Sequence, residues 1–479
     1  MEISHPGLNL LQPKIEDKSV DSYQFKQLRH DKNGASLDAE SVFKIRSDYI
    51  NDTIDLSQSY LTVQCQVRTN AQAVNIVNTT LVANALNMFS RASLHINDSL
   101  VEQVQNPGDA FQMKALTSYS KTYLEGVKEM CWFYPDLSPD SVSGSGYEGI
   151  GTEFTAGAAD KNNVVDAQAI LAGRTAGYDK SFTERLSRAV SGGNTRSVVV
   201  CVPLRHLFGF CESQKFLRGA KVEIELHRES NLARVLQATN ASAVTAAQRK
   251  LYISNLVWWV PRVSLSMSGA KEQEAMIATG KGVNQSFESW EVYNRRNVPL
   301  ATQNYTWRVT SSHSRPTKVI AAIQLETQYT AIDGNAAAAN PCVFKTESLG
   351  EVRLRLNEAV YPAERLQTNF ALGTDDEYMR AYAEYRRMQG GDRVFDDMAE
   401  EGCLISYNDF RDRFALICFD LTHLPESLLH GSGSQNDIQL EIDRSANAAG
   451  NWVAVCAICW EREVSIKVLG DKRVEIVRK

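Results

Sequence analysis

The sequence predicts an all-β chain: two tandem eight-stranded sandwiches with a few short helices in the connecting loops. Three observations predict it. The second half repeats the first in order, and apolar residues alternate with polar ones over many short segments. One helical pattern also recurs at the same place in each half.

The repeat is weak but ordered. Residues 61–65 (LTVQC) meet 321–325 (AAIQL), and 94–98 (LHIND) meet 354–358 (LRLNE), both at an offset of 260. Farther on, 204–207 (LRHL) meets 421–424 (LTHL), and 222–228 (VEIELHR) meets 438–444 (IQLEIDR), at offsets of 217 and 216. The first half therefore carries about 43 more residues between its second and third signatures. Four matches in order point to a duplicated module with one long insertion.

The elements follow from local pattern. Residues 1–40 are polar with scattered apolars and read as an extended arm. In 59–67, Leu61, Val63, Cys65 and Val67 alternate with Thr62, Gln64 and Gln66, the period of a half-buried strand. The 94–98 segment alternates likewise and ends in the turn pair Asn97 and Asp98. A helix opens at 106–109 (NPGD) and runs through Phe111, Ala115 and Tyr119. From 138 to 196, Gly, Ser, Ala, Asn and Asp dominate, which cannot build core and reads as long surface loops. Strands return at 197–202, 222–228 and 251–260, the last placing Trp258 and Trp259 on opposite faces. Residues 264–283 read as a helix joining the halves.

In the second half, 286–293, 304–310 and 318–327 read as strands. Thr374 and Glu377 form a capping box for a helix that places Tyr378, Ala381, Tyr382 and Tyr385 on one face. Residues 413–419, 438–444, 452–460 and 464–469 complete the strands. The domain organisation is an arm over 1–40, a first sandwich over 41–263 with its loop insertion at about 138–196, a connecting helix or linker over 264–285, and a second sandwich over 286–479. Sandwiches of this length that close two Greek keys face to face are jelly rolls.

Composition narrows the function classes. At 479 residues the chain is too long for one core and suits two domains. It is 43% hydrophobic and 23% charged with net charge −6, so sequence-specific or bulk-charge nucleic-acid binding is not expected. The N-terminus lacks a basic and an apolar signal region, and the longest apolar run, 452–460, is strand length. A soluble protein made in a reducing compartment, cytosol or nucleus, is expected. The nine cysteines fall at irregular spacings, mostly inside apolar strands.

No catalytic constellation emerges. Residues 144–149 (GSGYEG) fit a dinucleotide motif only on paper, because they follow a loop rather than a strand. Cys456 and Cys459 form a C-x-x-C without a second pair or a nearby histidine. The eight histidines are dispersed; His206 and His423 match between the repeats, which suits a packing or capping role at one turn. The carboxylates at 375–377 suit a helix start and those at 396–401 a solvated face. Tyr378, Tyr382 and Tyr385 suit core or interface anchors. Hence no enzyme, no catalytic or metal-binding residue and no cofactor is expected.

The segment 203–212 (PLRHLFGFCE), followed closely by 222–228, resembles the most recognisable stretch of the double jelly-roll major capsid proteins of Polinton/Maverick elements and adintovirus-like viruses. Residues 54–61 (IDLSQSYL), 89–98 (FSRASLHIND) and 258–261 (WWVP) are similar to further patterns of that family. The likeness touches much of 45–262 and, more faintly, 354–366 and 414–444, while 138–196 and 328–345 match nothing. It implies a homotrimer whose six jelly rolls give a pseudo-hexameric capsomer. Capsomers would tile an icosahedral virion shell around double-stranded DNA, with penton or minor capsid proteins as further partners. The rival readings are a lectin- or cupin-like binding sandwich, or a minor capsid component. Cupins need clustered histidines, and minor components usually carry one roll.

Overall fold

The computed structural model describes residues 20–32, 34–47, 53–69, 79–136, 190–192, 195–212, 216–238, 249–278, 283–313, 315–330, 340–344, 348–357, 359–362, 375–390, 404–422, 436–468 and 474–478, with residues 181, 184, 185, 188, 366 and 368. The glycine motif at 144–149, His423, Thr374 and the 396–401 carboxylates lie outside these residues.

Each half is one jelly roll of two facing antiparallel sheets. In the first, one sheet runs Val20–Arg29, Arg249–Leu265, Tyr60–Thr69, Thr195–Pro203, with the short strands Thr53–Asp55, Phe216–Arg218 and Val190–Gly192 extending it. The other runs Val42–Ser47, Val222–Arg228, Phe89–Ile96, Ser99–Gln105. In the second half the matching sheets run Val283–Val298, Trp452–Val468, Pro316–Leu325, Ile417–Asp420 and Asn304–His313, Asn436–Arg444, Leu349–Leu356, Ala359–Tyr361. Val474–Arg478 pairs with the end of Trp452–Val468. Strand for strand, the two orders are the same.

The matched sequence segments occupy the same places. Leu94 stands opposite Ile224, and their counterparts Leu354 and Leu440 stand opposite each other. Leu204 donates its N–H to the Ser59 carbonyl at 2.9 Å, and Leu421 donates to Thr317 at 2.8 Å, closing the same turn. Alternation explains why the strands form: Leu61, Val63, Cys65 and Val67 are buried while Thr62, Gln64 and Gln66 are half-buried. Asn97 and Asp98 adopt φ of 49° and 61°, the conformation of a tight hairpin between Ile96 and Ser99. Asn357 has φ 57° where the second roll turns.

Four expectations change. Val20–Arg29, placed in the arm, is a strand paired with Arg249–Leu265 from Val20 opposite Leu265 to Arg29 opposite Val257. The helix after Asn106 is two, Pro107–Ser118 and Lys121–Cys131, because Ser120 caps the second by accepting from the Tyr123 N–H. The strand expected at 413–419 begins only at Ile417; Ser406 caps a short helix, Tyr407–Asp412, that takes up the approach. Residues 452–460 and 464–469 belong to one strand, Trp452–Val468, since no turn residue interrupts them. Of the stretch 138–196, the described end is a hairpin, with Val190 opposite Ser197.

The helix Met267–Ala278 links the halves. Residues 452–459 are buried on both faces of their strand, with none more than 1% exposed. Burial on both faces explains the unbroken apolar run.

Candidate functional site at the junction of the two rolls

The described residues assemble a polar seam between the rolls. Glu102, on Ser99–Gln105, is wholly buried. Its carboxylate accepts from the backbone N–H groups of Gly209 (3.2 Å) and Phe210 (3.0 Å) and from Ser289 Oγ (2.8 Å) across the junction. Burial raises its pKa, while these hydrogen bonds and Arg462 pull the other way. Gln285 Nε2 donates to the Phe210 carbonyl at 2.9 Å, and the Phe210 and Phe287 rings meet edge to face at 5.5 Å. Gly209 has no alternative here, because a Cβ would lie 1.7 Å from the Glu288 carbonyl oxygen.

A second group surrounds the helix Pro107–Ser118. Asp109 accepts from Arg234 Nη2 at 2.5 Å and from Asn294 Nδ2 of the second roll at 3.2 Å. Gln112 Nε2 donates to the Cys342 carbonyl, and Tyr385 Oη donates to the Leu116 carbonyl at 2.7 Å. Tyr378 and Tyr385 are buried and Tyr382 half-buried, so the tyrosine stripe is core and seam.

A third group joins the bases of two long connections. Arg185 and Asp136, both fully buried, pair at 2.7 Å, and Arg185 Nη2 donates to Gln237 Oε1 at 2.6 Å. Asn340, from the second half, donates to the other Asp136 oxygen, and Arg413 Nη1 donates to the Asp136 carbonyl at 3.1 Å. Sequence reading missed all of these. Nothing marks one Asp or Arg among so many until the fold buries it.

The remaining candidates separate. His206 ends the turn Leu204–His206, buried against Phe111, Tyr119 and Tyr123, with Tyr119 Oη 2.6 Å from Nδ1. Burial, then Lys114 and Arg205, push its pKa down to about 3, so it is neutral at pH 7. It lines a water-sized cavity with Glu102, Lys114 and Trp290. Cys456 and Cys459 are buried on one strand, and burial raises both thiols, which leaves them unreactive. Among the described residues, no group of three or more His, Cys, Asp or Glu could hold a metal. No described helix is long and apolar enough to cross a membrane.

Residues 178–464 match the family model of the double jelly roll-like domain. Among solved structures, a chain of the Sputnik virophage determined by cryo-EM aligns with a TM-score of 0.60 at 10% identity, over 100% of this chain and 92% of that one. The mavirus major capsid protein aligns at 0.51 and 9%, over 100% and 95%. A chain of the PBCV-1 virus capsid aligns at 0.52 and 11%, over 97% and 98%. At these identities the likeness is one of fold. No curated protein matches by sequence.

Proposed function

We propose, from the premise that the chain belongs to the double jelly roll-like domain family, that it is a viral major capsid protein acting by self-assembly. The observation that carries this is the seam. Two rolls of identical strand order are locked side by side by buried hydrogen bonds. Buried polar networks specify one arrangement rather than adding much net stability, which suits a part whose task is a fixed shape. Solved proteins of this fold include the mavirus major capsid protein, which fits the group that the sequence resembles. Three chains would give six rolls, a pseudo-hexameric capsomer able to tile an icosahedral shell around double-stranded DNA. Neighbouring capsomers and penton or minor capsid proteins would be its partners, and the virion its location.

Light scattering and electron microscopy of the purified protein test the reading. A mass of about 160 kDa, three times the 53.3 kDa chain, with hexagonal particles is expected. A protein that stays monomeric at all concentrations would sink it.

A further inference from the structure

The junction of the two rolls holds a small cavity whose polar walls the hydrogen bonds of the seam leave incompletely matched. Glu102, Lys114 and His206 of the first roll line it, Trp290 of the second roll forms another wall, and Phe111 and Leu207 add apolar surface. The space has room for one water molecule.

Each polar wall group has a hydrogen bond still to make. His206 is 4% exposed and its Nδ1 lies 2.6 Å from the Tyr119 hydroxyl, but no described group pairs with its Nε2. A buried ring nitrogen without a partner loses its hydration and gains nothing in return. Glu102 uses Oε1 for the Gly209 N–H and the Ser289 hydroxyl, whereas Oε2 takes the Phe210 N–H. A carboxylate accepts about four hydrogen bonds, so Oε2 has capacity left. Lys114 Nζ donates to the Arg205 carbonyl at 3.2 Å and to the Glu212 carboxylate, which engages two of its three N–H groups.

Charge and size together select the ligand. A second cation would sit beside the Lys114 ammonium, and an anion would sit against the Glu102 carboxylate. An uncharged molecule of water size avoids both. Water also suits the histidine, because Nε2 of a neutral ring is a donor in one tautomer and an acceptor in the other, and water can serve either. Three polar neighbours is about the usual number for a buried water molecule.

We propose that this cavity is a binding site for a single ordered water molecule, held by His206 Nε2, Glu102 Oε2 and Lys114 Nζ. Such a bridge is nearly as favourable as a direct hydrogen bond. Glu102 is the group that grips Ser289 of the second roll, so the water extends that clasp to the turn Leu204–His206 of the first. The site rests neither on the capsid reading nor on the number of copies in the assembly.

Structure determination of the full-length protein, in the assembly it forms and at a resolution that shows ordered water, tests the site. Density for one water within hydrogen-bonding distance of His206 Nε2 and Glu102 Oε2 is expected in every copy. In His206→Phe, which keeps a flat ring but removes both nitrogens, that density should vanish. Glu102 should there keep its contacts with Gly209, Phe210 and Ser289. Magnetic relaxation dispersion of the water deuterons gives an independent count in solution, and the variant should hold one long-lived water fewer per chain. If the variant does not fold, the wild-type density decides alone. Well-ordered walls around an empty cavity in the wild type, a direct bond from His206 Nε2 to a protein group, or a water that persists in His206→Phe by either measurement overturns the site.

Discussion

Mild acid should destabilise this fold through one histidine. His206 is neutral in the folded protein because burial and the cations Lys114 and Arg205 hold its pKa near 3, against 6.5 for a free side chain. A depressed folded pKa means that the unfolded chain takes up the proton first. The histidine's contribution is therefore complete above pH 6.5 and is lost as pH falls toward 3. Each unit in that window is worth about 1.4 kcal/mol, so going from pH 7 to pH 5 should cost about 2 kcal/mol through this group. The assay is urea unfolding at pH 7 and pH 5 of the wild type and of His206→Gln, which can keep a hydrogen bond to Tyr119 but does not titrate. The wild type should lose about 2 kcal/mol more than the variant. Equal losses, within about 0.5 kcal/mol, would refute the argument, because they would mean that His206 protonates as easily folded as unfolded.

Glu102 should act with the opposite sign. Burial raises its folded pKa above 4.5, so its contribution is present below that pH and lost as pH rises; Glu102→Gln should flatten this part of a melting-temperature profile, and parallel profiles would count against it. Asp136→Ala or Arg185→Met should each cost about 3–5 kcal/mol by leaving its buried partner uncompensated, with the double variant costing less than their sum; denaturation midpoints measure it, and single losses below about 1 kcal/mol would contradict the burial. Gly209→Ala should lower stability by about 3 kcal/mol as the added methyl displaces the Glu288 backbone. Gly126→Ala, in a helix with open space around it, should instead raise stability by about 0.5–1 kcal/mol in the same melts.

How far the sequence reached depends on where each residue's partners sit. Strands whose partners lie in their own sandwich were legible. Leu61 to Val67 alternate because one face meets the core, and the matched segments 94–98 and 354–358 fall on strands at the same place in the two rolls. The family resemblance on 203–212 likewise falls on the turn that supports Glu102. The polar groups of the seam were not legible. Asp136, Arg185 and Asn340 are single residues at the edges of polar, loop-like stretches, and only the meeting of both rolls removes water from them.

The opening strand shows the same limit from the other side. Val20–Arg29 has a clear period of two, yet its outward positions hold Tyr23, Phe25 and Gln27 while Gln24 and Lys26 point the other way. Judged by which face should be apolar, it fits no core within its own chain, and an arm is the natural reading. The helix Asp375–Gly390 makes the complementary case: it has one buried apolar stripe and one exposed mixed face, whereas Pro107–Ser118, its counterpart, is buried nearly all round. Two copies of one module thus diverge in how far these two elements are covered. A face that breaks local patterning in one repeat and obeys it in the other is therefore where sequence period alone misassigns an element.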